Sequence, residues 1–287
     1  MTDQARGLLL AFVGTLFIVP DSLFVRLIDA DAPTIVFWRG LSSGVSIFVL
    51  LFILYGARFP KEIRSTGAHG LAFAGCIAAS GILFVTAVTL TSVATVVFVI
   101  AAIPVIAAIL SRITMGERLS TRMAYTIAAV LPGMGLIALG AESGGSTDLL
   151  GAGLALAAAC TYASGMVVAR HARPKSLVPA IPLAYLLSTI LVLPAAQPLS
   201  VDPAQWWLLA IYGGVFIAAS TTLLTLSARL ITAPELALLV LLESILAPIL
   251  VWVLLAEYPG TLTLAGGAVI VAALAVSNFV ALRRTSA

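Results

Sequence analysis

The chain has 287 residues, of which 61% are apolar and 9% charged, and its formal net charge is +3. Soluble domains carry about 25% charged residues, and no soluble core of this size hides so much apolar surface, so the composition excludes an ordinary soluble enzyme and points to lipid as the solvent. The basic residues sit in short links between apolar runs, where they report membrane topology and not nucleic-acid binding. Cys76 and Cys160 both lie inside apolar runs, which argues against a disulfide framework.

A spanning helix needs about 20 mostly apolar residues. Such runs fall at 7–28, 33–55, 67–89, 92–112, 121–140, 149–170, 178–194, 205–228, 234–255 and 262–282. The predicted fold class is therefore an all-α integral membrane protein with ten transmembrane helices. The first run is followed by Ala30-Asp31-Ala32, a small-x-small triplet resembling a signal-cleavage site. The run is too long and too distant for that role and is read as a retained helix. Within it, Pro20 frees a carbonyl and is expected to bend the helix.

Asp21 follows Pro20, about 10 Å below the outer end of the first helix, and Arg39 lies about 8 Å below the outer start of the second. At matching depth the two are able to pair, either as a static clasp or as an outer gate. Arg39 is alternatively a contact for a substrate carboxylate. Gly40-x-x-x-Gly44 and the Ala-rich sixth run favour close helix packing. The link at Thr89-Leu90-Thr91 carries no charge; a single kinked helix there would invert everything after it.

Further along, Pro104, Pro132 and Pro248 lie inside spans, and helix breaks beside a midplane site are common in transporters. Tyr162, Ser164, Tyr185, Thr221, Thr222 and Asn278 are polar positions in apolar surroundings, suited to line a cavity or to bond a neighbouring helix. Thr232-Ala233-Pro234-Glu235 reads as a capping box opening the ninth run. Glu243 lies about 13 Å into that run at 1.5 Å per residue, near the middle of a core about 30 Å thick. A carboxylate there is expensive unless paired, hydrated or protonated. It is either a cavity-facing group that binds a substrate ammonium or carries a proton, or a structural acid held between helices.

Charge fixes the orientation. With the N-terminus in the cytoplasm and ten spans, every basic residue except Arg26 and Arg39 falls on the cytoplasmic side, while Asp29, Asp31, Glu142, Asp148 and Asp202 fall outside. This positive-inside bias predicts both termini in the cytoplasm. Trp38, Trp206, Trp207 and Trp252 fall near the outer ends of their helices, as an interfacial belt.

The halves repeat at an offset near 140. Ile77-Ala78-Ala79-Ser80 recurs as Ile217-Ala218-Ala219-Ser220, and Glu117 corresponds to Glu257. Near the first and sixth runs the offset is 144, matching Gly7 to Gly151 and Arg26 to Arg170. Five spans per half is an odd number, so the repeats, 1–141 and 142–287, are expected to be inverted, an arrangement that suits alternating access. Glu117 and Glu257 each follow a helix C-terminus, where the macrodipole disfavours an acid. They are read as structural or hinge residues reaching for the start of the next helix, with Pro20, Pro104 and Pro248 in the same class.

The segments Ile103-Pro104…Met115-Gly116-Glu117-Arg118-Leu119 and Leu242-Glu243-Ser244…Leu254-Leu255-Ala256-Glu257, set in two five-span halves, resemble the EamA-domain exporters of the drug/metabolite transporter superfamily. The resemblance covers nearly the whole chain. Ser244 stands where the family often has proline, and Ala256 replaces the usual glycine. The resemblance implies a multi-pass carrier of a bacterial inner (plasma) membrane, monomeric or homodimeric. It exports a small organic solute, with amino acids, aromatic ones included, as the leading cargo and drugs or other metabolites as the alternative. The expected site comprises Glu243, Asp21, Arg39, Tyr162 and Tyr185.

Other classes fare worse. Gly40-Leu41-Ser42-Ser43-Gly44 fits the hydrolase pattern G-x-S-x-G, which needs a strand-to-helix turn and a histidine partner; here it lies in a helical run with no histidine deep in the membrane. No phosphate-binding loop of the Walker type occurs, and histidines and cysteines are too few for a conventional zinc site. No enzyme activity, metal, cofactor or nucleic-acid partner is expected. A lipid-modifying enzyme would show product without a gradient, and a channel conduction without saturation.

Overall fold

The computed structural model describes residues 2–116, 120–143, 145–172 and 176–285, excepting the side chains of 142, 143, 284 and 285. Every regular element among them is helical: α1 Asp3–Ile18, α2 Asp21–Leu27, α3 Ala32–Tyr55, α4 Phe59–Leu90, α5 Val93–Ala101, α6 Ile103–Met115, α7 Thr121–Ser143, α8 Ser146–His171, α9 Ile181–Val192, α10 Trp206–Ile211, α11 Ala218–Ser227, α12 Ala233–Leu255 and α13 Thr261–Thr285. Among the described residues, seven stretches are long and apolar enough to cross a membrane, and an eighth if the bent pair α5–α6 is one span. One of the seven, Ala32–Leu90, runs for 59 residues, about 88 Å if straight, against an apolar core of about 30 Å. It is broken at Gly56 and again at Gly67 inside α4, both at a φ of 57° that suits glycine, and α3 and α4 pack on each other. The run at 178–192 is apolar but shorter than a full span.

Local chemistry explains the breaks. Thr2 caps α1 by accepting from the Ala5 amide. Pro20 cannot donate to the preceding turn, and the helix is interrupted between α1 and α2, placing Asp21 in a first turn. At the uncharged link Thr91 is extended and Ser92 caps α5 through the Thr95 amide, so two helices form where one kinked helix was the alternative. Pro104 lies in the first turn of α6, and the α5–α6 junction bends by 40°. Pro132 and Pro248 lie inside unbroken helices. The capping box of Thr232 and Glu235 forms as expected.

Small residues set the packing. A Cβ at Gly40 would meet the Thr189 and Ser188 hydroxyls and the Tyr185 carbonyl, and one at Gly44 would meet Leu186, so the Gly40–Gly44 face presses α3 onto α9. The other principal pairings are α4 with α8, α1 with α11 and α7 with α13. At the end of the bundle holding Asp3, Tyr55 and Arg229, a cleft of about 310 Å³ opens between α3, α9 and α11, lined by Ile47, Leu51, Tyr55, Ile181, Thr221 and Thr225 among others. The opposite end, carrying Arg26, Thr91, Gln197 and Glu257, is laced shut by the bonds described below.

Candidate functional site

The α1–α2 break packs directly on a π-helical turn, Tyr212–Ile217, which also packs on α3. The π-turn lies where Gly213 is pressed on α3. A Cβ there would meet the Arg39 carbonyl and both Ser42 and Ser43 hydroxyls, and Ser43 Oγ donates to the Gly213 carbonyl at 3.1 Å. Single π-turns of this kind are frequent at functional sites.

This packing assembles a buried ionic cluster. Arg39 grips Asp21 with two nitrogens, Nη2 to Oδ2 at 2.7 Å and Nε to Oδ1 at 3.3 Å. Tyr212, fully buried, donates its hydroxyl to Asp21 Oδ1 at 2.5 Å. The guanidinium is surrounded by rings, its carbon 5.9 Å from the centroids of Phe84, Tyr185 and Tyr212. Aromatic faces attract the cation while excluding water. The bidentate fork restores much of the hydration both ions lose on burial.

The expected site residues converge. Tyr185 touches Arg39 through its ring, and its hydroxyl bonds Thr221 Oγ1 at 3.2 Å, at the inner limit of the cleft. Glu243 on α12 is half-buried and close enough to Asp21 and Arg39 to interact with their charges, and Tyr162 on α8 is similarly close to Glu243 and Tyr185. Asp21, Arg39 and Tyr185 thus meet from α2, α3 and α9, with Glu243 of α12 within reach of their charges and the partly exposed Tyr162 of α8 beside Glu243 and Tyr185. The two acids differ in one respect. Asp21 is held by three hydrogen bonds, whereas Glu243 makes no hydrogen bond or ion pair among the described residues.

Tyr212 and Phe84 belong to this cluster and carried no special signal in the sequence. Tyr212 is one aromatic in an apolar run, and only the adjacent Gly213-Gly214 pair hints at close backbone approach.

Glu257 behaves differently from expectation. Its carboxylate does not reach the next helix, α13, but caps α5: the Val93 amide donates to Oε1 at 2.8 Å. Its other oxygen lies 3.1 Å from Arg26 Nε, an ion pair whose angle is too poor for a hydrogen bond. Arg26 Nη2 donates to the Thr91 carbonyl at 2.8 Å. The reason is tertiary: Ala256 adopts the left-handed conformation (φ 54°) that turns the chain back over α5. The repeat partner, Glu117, lies outside the described residues. Pro104 and Pro20 sit at helix breaks, while Pro248 is buried in the continuous α12. Among the described residues no group of three His, Cys, Asp or Glu side chains is placed to hold a metal ion.

The apolar helix lengths and the ionic cluster buried among them define a multi-pass membrane protein. Residues 5–139 match the model of the EamA-like transporter family. No curated protein matches the sequence. A solved crystal structure covers 96% of this chain and 98% of its own length with a TM-score of 0.65 at 17% identity, a likeness of fold spanning both halves.

Proposed function

We propose that the protein is a membrane carrier exporting small organic solutes, amino acids foremost and aromatic ones among them, by alternating access around the Asp21–Arg39–Glu243 region. The observation that carries this reading is the contrast inside the site: one carboxylate fully satisfied, the other convergent with it and unpartnered. A zwitterion needs one cationic and one anionic contact. Arg39 and Glu243 offer both types within one region.

On this reading the chain crosses the membrane ten times, through α1–α2, α3, α4, α5–α6, α7, α8, the short α9, α10–α11, α12 and α13. Inverted repeats are supported by matched contacts. A Cβ at Gly7 would meet Leu230 and Ile231, in the link before α12; one at Gly151 would meet Thr91, in the link before α5. Thr91 and Ile231 stand at the 140-residue offset of the repeat. The α4–α8 and α1–α11 pairings exchange under the same operation. The positive-inside bias orients the cleft toward the cytoplasm and the Arg26–Glu257 end outward, an inward-facing state of a bacterial inner-membrane protein with both termini inside. The working unit is a monomer or a homodimer.

The mostly aliphatic lining of the cleft favours a second reading, export of drugs or other apolar metabolites. Proteoliposome uptake of a panel of labelled amino acids, comparing the native protein with Glu243→Gln at two pH values, separates the two. Saturable uptake of a subset, reduced at least tenfold by the substitution, is expected. Saturable uptake of another solute and of no amino acid would favour the second reading.

A further inference from the structure

The hydrogen bonds of Arg39 to Asp21 run through Nε and Nη2. Nη1 carries none of them, and it faces α4. A Cβ built on Gly81 would touch a single atom, Arg39 Nη1, at 3.5 Å, with no other contact within 4 Å among the described residues. Gly81 therefore differs from Gly40, Gly44, Gly133, Gly213 and Gly266, where an added Cβ would strike a neighbouring helix or its side chains. Its missing side chain is not required for helix packing; it leaves open space in front of a guanidinium edge. Phe84, one turn further along α4, covers a face of the same guanidinium.

A guanidinium offers five N–H donors in a planar fork and can accept a second anion on its end-on edge while the side-on edge is occupied. We infer that Gly81 is the specificity-determining position of the site, holding open the free Nη1 edge of Arg39 for the carboxylate of an anionic or zwitterionic solute. This rests on the carrier reading for its purpose, though not for its geometry. Asp21 and Tyr212 anchor Arg39 so that the edge is presented without rearrangement. Glu243, close enough to Arg39 to interact with its charge, is the acid offered to the ammonium group of a solute whose carboxylate is docked there. A side chain at position 81 fills the docking space, and its size sets how large an anionic group is accepted.

The test places a thiol at the position. Gly81→Cys, made with Cys76 and Cys160 replaced by alanine, is reacted in membranes with two methanethiosulfonates of similar size, one bearing a sulfonate and one a trimethylammonium group. The expected result is modification at least fivefold faster by the anionic reagent, with the preference abolished in a background carrying Asp21→Asn and Arg39→Gln together. Gly81→Ala, which meets no clash, serves as the fold control and is expected to raise the KM of amino acid uptake severalfold, while Gly81→Val abolishes uptake. Equal or faster reaction with the cationic reagent would overturn the inference, as would no reaction with either in protein shown to be folded by its thermal transition. An anionic preference in a protein that takes up no amino acid would uphold the anion site and remove the amino acid reading alone.

Discussion

The two ends of the bundle hold together in different ways. At the Arg26 end, groups far apart in sequence are tied directly. Glu257 caps α5 and faces Arg26, Arg26 holds the Thr91 carbonyl, Thr34 Oγ1 accepts from the Gln197 amide at 2.8 Å, Trp38 Nε1 donates to the Pro198 carbonyl, and the Asp29 amide donates to Gln205. At the Arg229 end, α3, α9 and α11 diverge around a cleft whose wall includes Thr221, the hydrogen-bond partner of Tyr185. On the proposed carrier mechanism, this asymmetry is that of a site reached from one end at a time. The closed end consists of polar links that can be exchanged for water, whereas the permanent contacts are small-residue packings such as Gly40 on α9.

The largest effect should come from the buried pair between the ends. Asp21→Ala leaves Arg39 uncompensated, and breaking such a pair costs about 3–5 kcal/mol. Glu243→Gln removes no hydrogen bond and should leave the thermal transition in detergent nearly unchanged while uptake is lost. Comparing the melting curves of the two variants checks the distinction. Equal destabilisation would mean that both acids are structural.

Tyr212→Phe deletes one hydrogen bond to a carboxylate, which should lower stability by about 1.5–3 kcal/mol. The loss is measurable by the same unfolding curves and should vanish in the Asp21→Asn/Arg39→Gln background. Glu257→Gln weakens the closed end alone. Cysteines at Gln205 or Gln197 should become severalfold more reactive to a membrane-impermeant thiol reagent, while reactivity at Tyr55, in the opposite cleft, should fall. The smallest effect is expected at Ala256, held at a φ of 54°. Gly116, at the corresponding point of the first half, is a glycine with φ 67°. Ala256→Gly should stabilise the fold by about 1 kcal/mol.

The all-helical membrane fold was legible in the sequence because lipid demands apolar runs with capped ends, although ten runs were expected where seven or eight described stretches are long enough to span. Asp21 and Arg39 could be paired from depth alone, since each is measured from the end of its own helix. Glu243 was legible as an anomaly, a charge where lipid penalises one. Its approach to Arg39 was not, because the relative rotation of α3 and α12 depends on every helix between them. The helix that Glu257 caps was not legible, because local sequence points to the nearest N-terminus while its partner Val93 is 164 residues away. Tyr212 gave no signal beyond the neighbouring Gly213-Gly214 pair, and Gly81 gave none. The first owes its place to a π-turn formed against α3, and the second is one small residue among many in α4.

The central claim is that the closed end must open for solute to pass. Cysteines at Thr34 and Gln197, whose side-chain oxygen and amide nitrogen are 2.8 Å apart, are oxidised to a disulfide in proteoliposomes and amino acid flux is followed before and after reduction. The account predicts that flux stops on oxidation and returns with reductant. Undiminished flux through the locked protein would contradict it.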